Sequence, residues 1–266
     1  MTDPSDSLSL AEQGAAQRDL PPPPPLRIAP RTALFLDFDG TLVDIADRPD
    51  EVVVPNGLPE MIKALADRLD GRLAIVTGRS LTALDALLGP LPVAVAGSHG
   101  GEFRPAGSNA VRALAEPLPA VVAEALVAFA KANGSLLVEA KPFSVAVHYR
   151  RHPSVLDNLL TCAEGIASEY GLAVKHGKQV IELVMPGSNK DNAVIQFMER
   201  PEFAGTLPQF VGDDMTDEDA FHAVIGFGGG GVLVGHMRPT AARWRLENVA
   251  AVHSWLSSAL IAGEEA

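Results

Sequence analysis

Ala33-Leu34-Phe35-Leu36-Asp37-Phe38-Asp39-Gly40-Thr41 is the stretch on which the fold turns. Four apolar residues without a polar break are what a strand buried on both faces requires, and such strands belong to parallel sheets covered by helices. Two carboxylates follow at once. With a strand period of two, Asp37 and Asp39 leave the chain end on the same side. Two acids held that close do not both ionise comfortably without a cation. Gly40 lets the backbone turn sharply and approach a ligand. Ligand sites in open parallel sheets lie beyond the carboxyl ends of the strands, so the acids stand where chemistry is expected. Alone, the pair reads as well as a solvated acidic turn, with Thr41 as a helix cap.

Further along, Leu58, Met61, Ile62, Leu65 and Leu69 form one helical stripe, closed by Gly71. Leu73-Ala74-Ile75-Val76 is a second buried strand, and strand–helix–strand order predicts a parallel sheet with a right-handed crossover. A helix through Leu81, Leu84, Leu87 and Leu88 and a strand over 93–96 continue the pattern. After Glu102 the rhythm changes. A turn-rich stretch (103–109) precedes a helix (117–132), strands over 136–141 and 144–150 bending at Pro142, and a helix over 153–170. A hairpin follows, with arms 173–175 and 179–184 turning at His176-Gly177. Hairpins beside helices predict a small α+β insert. Beyond a linker, Met185 to Asn189, the α/β rhythm resumes with a helix from Lys190, a strand at 209–211, a helix after Asp217, a strand at 231–235 and a helix over 248–261. The expected architecture is α/β: a Rossmann-like parallel-sheet core of residues 30–102 and 186–266, with an α+β cap over 103–185.

Residues 1–29 read as a disordered, proline-rich tail with an unbroken run from Pro21 to Pro25. In polyproline II form it could dock a proline-reading partner; a spacer is the plainer reading. The 266 residues carry a net charge of −12, which argues against a nucleic-acid or acidic-membrane partner. It also means that a site for an anionic ester must supply its own positive charge. Cys162 is the single cysteine, so no intramolecular disulfide or cysteine zinc cluster is expected. With neither a signal-peptide pattern nor an apolar run of membrane-spanning length, the expectation is a soluble cytoplasmic protein.

Three further pieces join the first. Gly212-Asp213-Asp214-Met215-Thr216-Asp217-Glu218-Asp219 follows the apolar Phe210-Val211. Asp213 and Asp214, brought near Asp37 and Asp39 by a parallel topology, suit magnesium, which takes oxygen ligands and keeps several waters. Asp217 to Asp219 read as carboxylates favouring a helix start. Thr77, in Val76-Thr77-Gly78-Arg79-Ser80, ends the second strand where a hydroxyl and loop amides could hold a phosphoryl oxygen, with Ser80 as the helix cap. Lys190, beside acidic loops, is a candidate to bridge phosphate and Asp37. In the cap, His148 and Arg150 share one face of their strand, as do Lys178, Val180 and Glu182 of theirs. That face is either solvent-exposed or a lid that hydrogen-bonds sugar hydroxyls.

In this order the four pieces resemble the haloacid-dehalogenase (HAD) superfamily of phosphohydrolases, over the core segments. The resemblance implies Asp37 as nucleophile, Asp39 as general acid/base, Thr77 and Lys190 positioning the phosphoryl group, and Mg²⁺ held by Asp37, Asp39 (through its backbone carbonyl), Asp213 and Asp214. More narrowly, the chain resembles trehalose-6-phosphate phosphatases in Gly97-Ser98-His99-Gly100-Gly101-Glu102, Val147-His148-Tyr149-Arg150, Gly177-Lys178-Gln179-Val180-Ile181-Glu182 and residues 212–218. That implies a sugar-phosphate substrate held by Asp37, Asp39, His99, Gly100, Glu102, His148, Arg150, Lys178 and Glu182. The family usually carries glycine after the motif lysine; here it is Asp191. The rival expectations are a phosphatase of sucrose or mannosylglycerate phosphates, and a phosphoacceptor receiver-like signalling domain.

Overall fold

The computed structural model describes residues 19–113, 115–177 and 179–261. The chain alternates strand and helix as β1 (Thr32–Leu36), α1 (Leu58–Arg68), β2 (Leu73–Val76), α2 (Leu81–Leu88) and β3 (Ala94–Gly97). Two short strands follow, β4 (Glu102–Arg104) and β5 (Arg112–Ala113). Then come α3 (Ala120–Ala132), β6 (Leu137–Ala140), β7 (Ser144–His148), α4 (Leu156–Tyr170), β8 (Ala173–Gly177) and β9 (Val180–Val184). The alternation returns with α5 (Lys190–Met198), β10 (Leu207–Gly212), α6 (Asp217–Gly226), β11 (Gly230–Val234), β12 (Trp244–Leu246) and α7 (Val249–Ile261).

Eight strands form one sheet in the order β12-β11-β10-β1-β2-β3-β4-β5. Those from β12 to β3 are parallel, and β4 and β5 add on antiparallel. The period-two pleat sorts the apolar runs into two layers. Leu34, Leu36, Ile75 and Val95 pack on one side with α1, α2 and α7. Phe35, Ala74, Val76 and Phe210 pack on the other with α5 and α6, where the Phe35 and Phe203 rings stack 5.5 Å apart. Each fully buried Leu or Phe contributes about 1.5–3 kcal/mol relative to exposure, so these two layers hold the strand ends rigidly.

The second sheet, β6-β7-β9-β8, is antiparallel throughout. On one face Val145, Val147, Ile181 and Leu183 pack against α3 and α4. The other face carries Glu139, Lys141, Ser144, His148, Lys175 and Glu182, in the pleat phase opposite to that apolar set. It turns toward the core.

Three features depart from the expected layout. β4 and β5 extend the core sheet, so its contribution runs past residue 102 to Ala113. Their short, polar sequences carry no buried-strand signal. β12, three residues with Arg245 in the middle, is invisible to periodicity for the same reason. The proline run is laid on the core from Asp19 onward. Leu20, Pro23 and Leu26 turn inward every third residue, the repeat of a polyproline II helix. The Trp255 indole donates to the Pro24 carbonyl at 2.9 Å, and the Arg245 amide donates to that of Pro21 at 3.0 Å. The expected tail residues 1–18 lie outside the described residues. No helix among the described residues is long and apolar enough to cross a membrane.

Candidate active site

The carboxyl ends of β1, β2 and β10 and the first turn of α5 bring four of the motifs together. Asp37, one residue past β1, and Lys190, the first residue of α5, are both buried. The Lys190 ammonium donates to Asp37 Oδ1 at 2.7 Å and to Asp217 Oδ1 at 2.6 Å. Burial works against its charge, yet Asp217 and Asp37 hold its pKa above the ordinary lysine range. Burial pushes the Asp37 carboxyl well above the usual carboxylate range, opposed by Lys190 and reinforced by Asp217 and Asp213. Asp191 does not displace the lysine; it sits in the first turn of α5, where a carboxylate favours a helix N-terminus.

Asp37, Asp213 and Asp217 each present a carboxylate oxygen within 4.8 Å of the others. Asp37 and Asp217 share the Lys190 ammonium, and Asp213 sets a third carboxylate beside them. Hard oxygen donors in that number suit a small divalent cation. The backbone is shaped for the approach: Gly40 has φ +78°, and a Cβ there would lie 2.2 Å from Asp213 Oδ2. Gly212 does the same for Asp217, whose Cγ would stand 2.4 Å from a Cβ.

Asp217 is the residue the sequence reading passed over. It begins α6, as a helix-start carboxylate should, and is also fully buried in the cluster. Its Oδ2 accepts the Asp214 amide at 2.9 Å. Its spacing, four residues after Asp213, was the available signal. Asp214, expected as a ligand, lies outside the three-carboxylate cluster: its Oδ1 accepts the Met215 amide at 2.6 Å, closing a local turn.

The Asp39 carboxylate is also outside the cluster. Both its oxygens accept from Arg79, at 2.7 and 2.8 Å, and Arg79 donates further to the Pro49 carbonyl at 3.0 Å. Thr77 is fully buried just beyond β2, and its Oγ1 accepts the Arg79 amide at 3.1 Å. Arg79 is a second residue that the sequence reading named only as part of a motif.

A cleft of about 770 Å³ separates this floor from the polar face of the second sheet. Asp37, Asp39 and Lys190 line it from below, and Lys141, His148 and Arg150 from above. Contacts tie the two sides. Arg150 pairs with Asp47 at 2.6 Å, and Lys175 with Asp219 at 3.5 Å. Inside, Glu182 is buried and accepts from Ser144 Oγ at 2.7 Å and Lys141 Nζ at 3.1 Å. His99 Nε2 stands 3.1 Å from its other oxygen. An ionised Glu182 only accepts, which assigns the proton to Nε2. Burial raises the Glu182 carboxyl, but Lys141, His99 and Ser144 outweigh it and hold it well below the usual range. Burial lowers His99 despite Glu182, so its ring is neutral at pH 7.

His99 therefore reaches the cleft, held by Glu182 from behind. Its backbone is left-handed (φ 55°), and a Cβ on Gly78 would strike its ring at 2.6 Å. Gly100 and Glu102 do not line the cleft: Gly100 packs beside the Asn189 carbonyl, and Glu102 is buried, accepting from Ser98 Oγ at 2.6 Å. They shape the loop that carries His99. His148 stands 3.3 Å from Glu139. Lys141 and Glu139, which the sequence reading did not single out, share its face by strand register. Lys178 lies outside the described residues.

Residues 35–250 match the family model described as trehalose-phosphatase. The chain is 37% identical over 231 residues to the trehalose-6-phosphate phosphatase of Escherichia coli (strain K12), covering 86% of each chain. To a probable trehalose-phosphate phosphatase of Sinorhizobium fredii it is 40% identical over 212 residues, 79% of this chain and 80% of that one. Among solved structures, the C-terminal domain of C. albicans trehalose-6-phosphate phosphatase superposes with a TM-score of 0.76 over 88% of this chain and 93% of that one. At 22% identity, that likeness speaks to the fold.

Proposed function

The chain belongs to the trehalose-phosphatase family, and from that premise we propose that it hydrolyses trehalose 6-phosphate to trehalose and phosphate through an aspartyl-phosphate on Asp37. The observation that carries the chemistry is the buried Lys190, bonded at once to Asp37 and Asp217 beneath a cleft sized for a disaccharide. It fixes one Asp37 oxygen and leaves the other for attack.

Asp37 attacks phosphorus; the P–O bond to the sugar breaks as the P–O bond to Asp37 forms. The leaving sugar oxygen takes a proton from Asp39, and water then cleaves the acyl phosphate, giving its proton back to Asp39. Arg79 orients the Asp39 carboxyl between these steps, and one of its two bonds has to open for the carboxyl to reach the leaving oxygen. Lys190 and the Thr77 hydroxyl offset charge on the transferring oxygens. Asp37, Asp213, Asp217 and the Asp39 carbonyl would hold Mg²⁺, which would supply Lewis acidity and offset the ester's charge against the acidic loops. Asp214 serves by shaping the Asp213 loop.

The polar face of the second sheet is the sugar-reading cap in this proposal. Lys141, His148 and Arg150 offer donors, and His99 offers an accepting Nδ1, buried without a partner among the described residues. Gly100 and Glu102 contribute by fixing His99. A cytoplasmic setting accords with the single free cysteine, Cys162. We assign no proline-reading partner, because Pro23 and Leu26 face the core.

Glu182 tests the cap. Glu182→Ala frees His99 and Lys141 together, so kcat/KM for trehalose 6-phosphate is expected to fall about 100-fold while p-nitrophenyl phosphate turnover changes less than threefold. Equal losses on both esters would remove sugar reading from the cap. The same residue sets an acid limit. A carboxyl depressed on folding gives stability that is complete above its unfolded value of 4.5 and is lost as pH falls through the folded value. Denaturant midpoints for the parent are therefore expected to decline steeply below about pH 4.5, and for Glu182→Gln less so. Parallel profiles would contradict the assignment.

A further inference from the structure

Arg238 lies in the loop between β11, the parallel neighbour of β10, and the edge strand β12. Its loop therefore meets the Asp213 loop at the same end of the sheet. The side chain is 19% exposed; its Nε is buried without a partner among the described residues, and its two Nη groups make the contacts. Nη2 donates to the Asp214 carbonyl at 2.7 Å and approaches that of Asp213 at 3.5 Å. Nη1 donates to Glu218 Oε1 and, at 3.2 Å, to the Pro239 carbonyl. The other oxygen of Glu218 accepts the Ala241 amide at 2.8 Å.

The arrangement is a closed rivet. Glu218 leaves the first turn of α6, one residue after Asp217, and holds the Arg238 loop by both ends. Arg238 returns the grip to the backbone of Asp213 and Asp214. The two carboxylates that meet Asp37 in the cluster, Asp213 and Asp217, thus flank a segment whose carbonyls are pinned from outside. Inside the segment, Met215 N donates to Asp214 Oδ1 and Asp214 N to Asp217 Oδ2, whereas the Arg238 bonds tie its carbonyls to a different loop.

We propose that Arg238 is a positioning residue for the divalent cation. It touches neither the cation nor the ester, but sets the Asp213–Asp217 spacing that grips the ion, with Glu218 as its own anchor. The inference rests on the cation reading above. Outer groups that orient ligands typically change metal affinity ~10–100-fold when removed. An arginine fork makes several fixed bonds at once and a lysine makes a point contact, so the fork rather than the charge carries the role.

The test is Mg²⁺ titration by calorimetry on EDTA-stripped full-length protein, with thermal unfolding of the metal-free form alongside. Arg238→Ala and Arg238→Lys are both expected to weaken Mg²⁺ binding by about tenfold or more, with Glu218→Gln weakening it in the same direction by less. The metal-free melting temperatures of the Lys and Gln variants should stay within a few degrees of the parent's, so the inference survives even if Arg238→Ala does not fold. Unchanged Mg²⁺ affinity in Arg238→Lys and Glu218→Gln would overturn it. So would tighter binding in Arg238→Ala together with parent-like binding in Arg238→Lys, since then the positive charge alone would matter. A parent that binds no Mg²⁺ would instead overturn the cation reading on which the inference rests.

Discussion

Asp37→Asn is expected to leave a folded protein whose kcat on trehalose 6-phosphate is lower by at least about 10⁴-fold. The substitution is isosteric, so Lys190 keeps an oxygen partner at the position of Oδ1, and one acid is removed from a cluster crowded with them. Nothing in the packing is lost, and the melting temperature should hold or rise. Chemistry is lost because an amide cannot attack phosphorus and return a hydrolysable acyl phosphate. Rapid-quench analysis with labelled substrate should find phosphate bound to the parent and none bound to the variant. A variant with normal phosphate release would end the nucleophile assignment.

Lys190→Met is expected to be the most damaging single change to stability, and to lower activity as well. Methionine fills most of the lysine's volume but leaves Asp37 and Asp217 buried with their shared ammonium gone. Breaking a buried pair in this way costs about 3–5 kcal/mol, which denaturant titration of the metal-free protein measures directly. Activity should fall ~10²–10³-fold even at saturating Mg²⁺, because the transferring oxygens lose a donor. The deficit in stability should shrink when Mg²⁺ is added, since the cation takes over neutralisation of the same carboxylates. If the variant matches the parent without metal, Asp37 and Asp217 do not need the ammonium, and the electrostatic account of the pair fails.

The sequence was informative where local pattern and tertiary role coincide. The buried runs at Ala33–Leu36 and Leu73–Val76 had to be parallel strands, and the carboxylates after β1 and β10 had to sit at one end of the sheet. The polar cap face followed from the strand period alone. What escaped was relational. Asp217 looked like a helix-start acid because it is one; only the fold reveals that its Oδ1 faces Lys190. Arg79 and Arg238 are ordinary surface-type residues until a loop 40 or 24 positions away is laid beside them. Lys141 owes its place to a register across β6, β7 and β9 that no single strand encodes. β12 and the β4–β5 pair are too short and polar for periodicity to find. The proline run, whose composition reads as a tail, is held by a Trp255 indole 231 residues away.

One comparison tests the central claim directly: phosphate release by EDTA-stripped protein, with and without added Mg²⁺, from trehalose 6-phosphate, sucrose 6-phosphate and glucose 6-phosphate. The account predicts release that requires Mg²⁺ and a kcat/KM for trehalose 6-phosphate well above the other two. Release that is indifferent to the cation, or a preference for another ester, would contradict it.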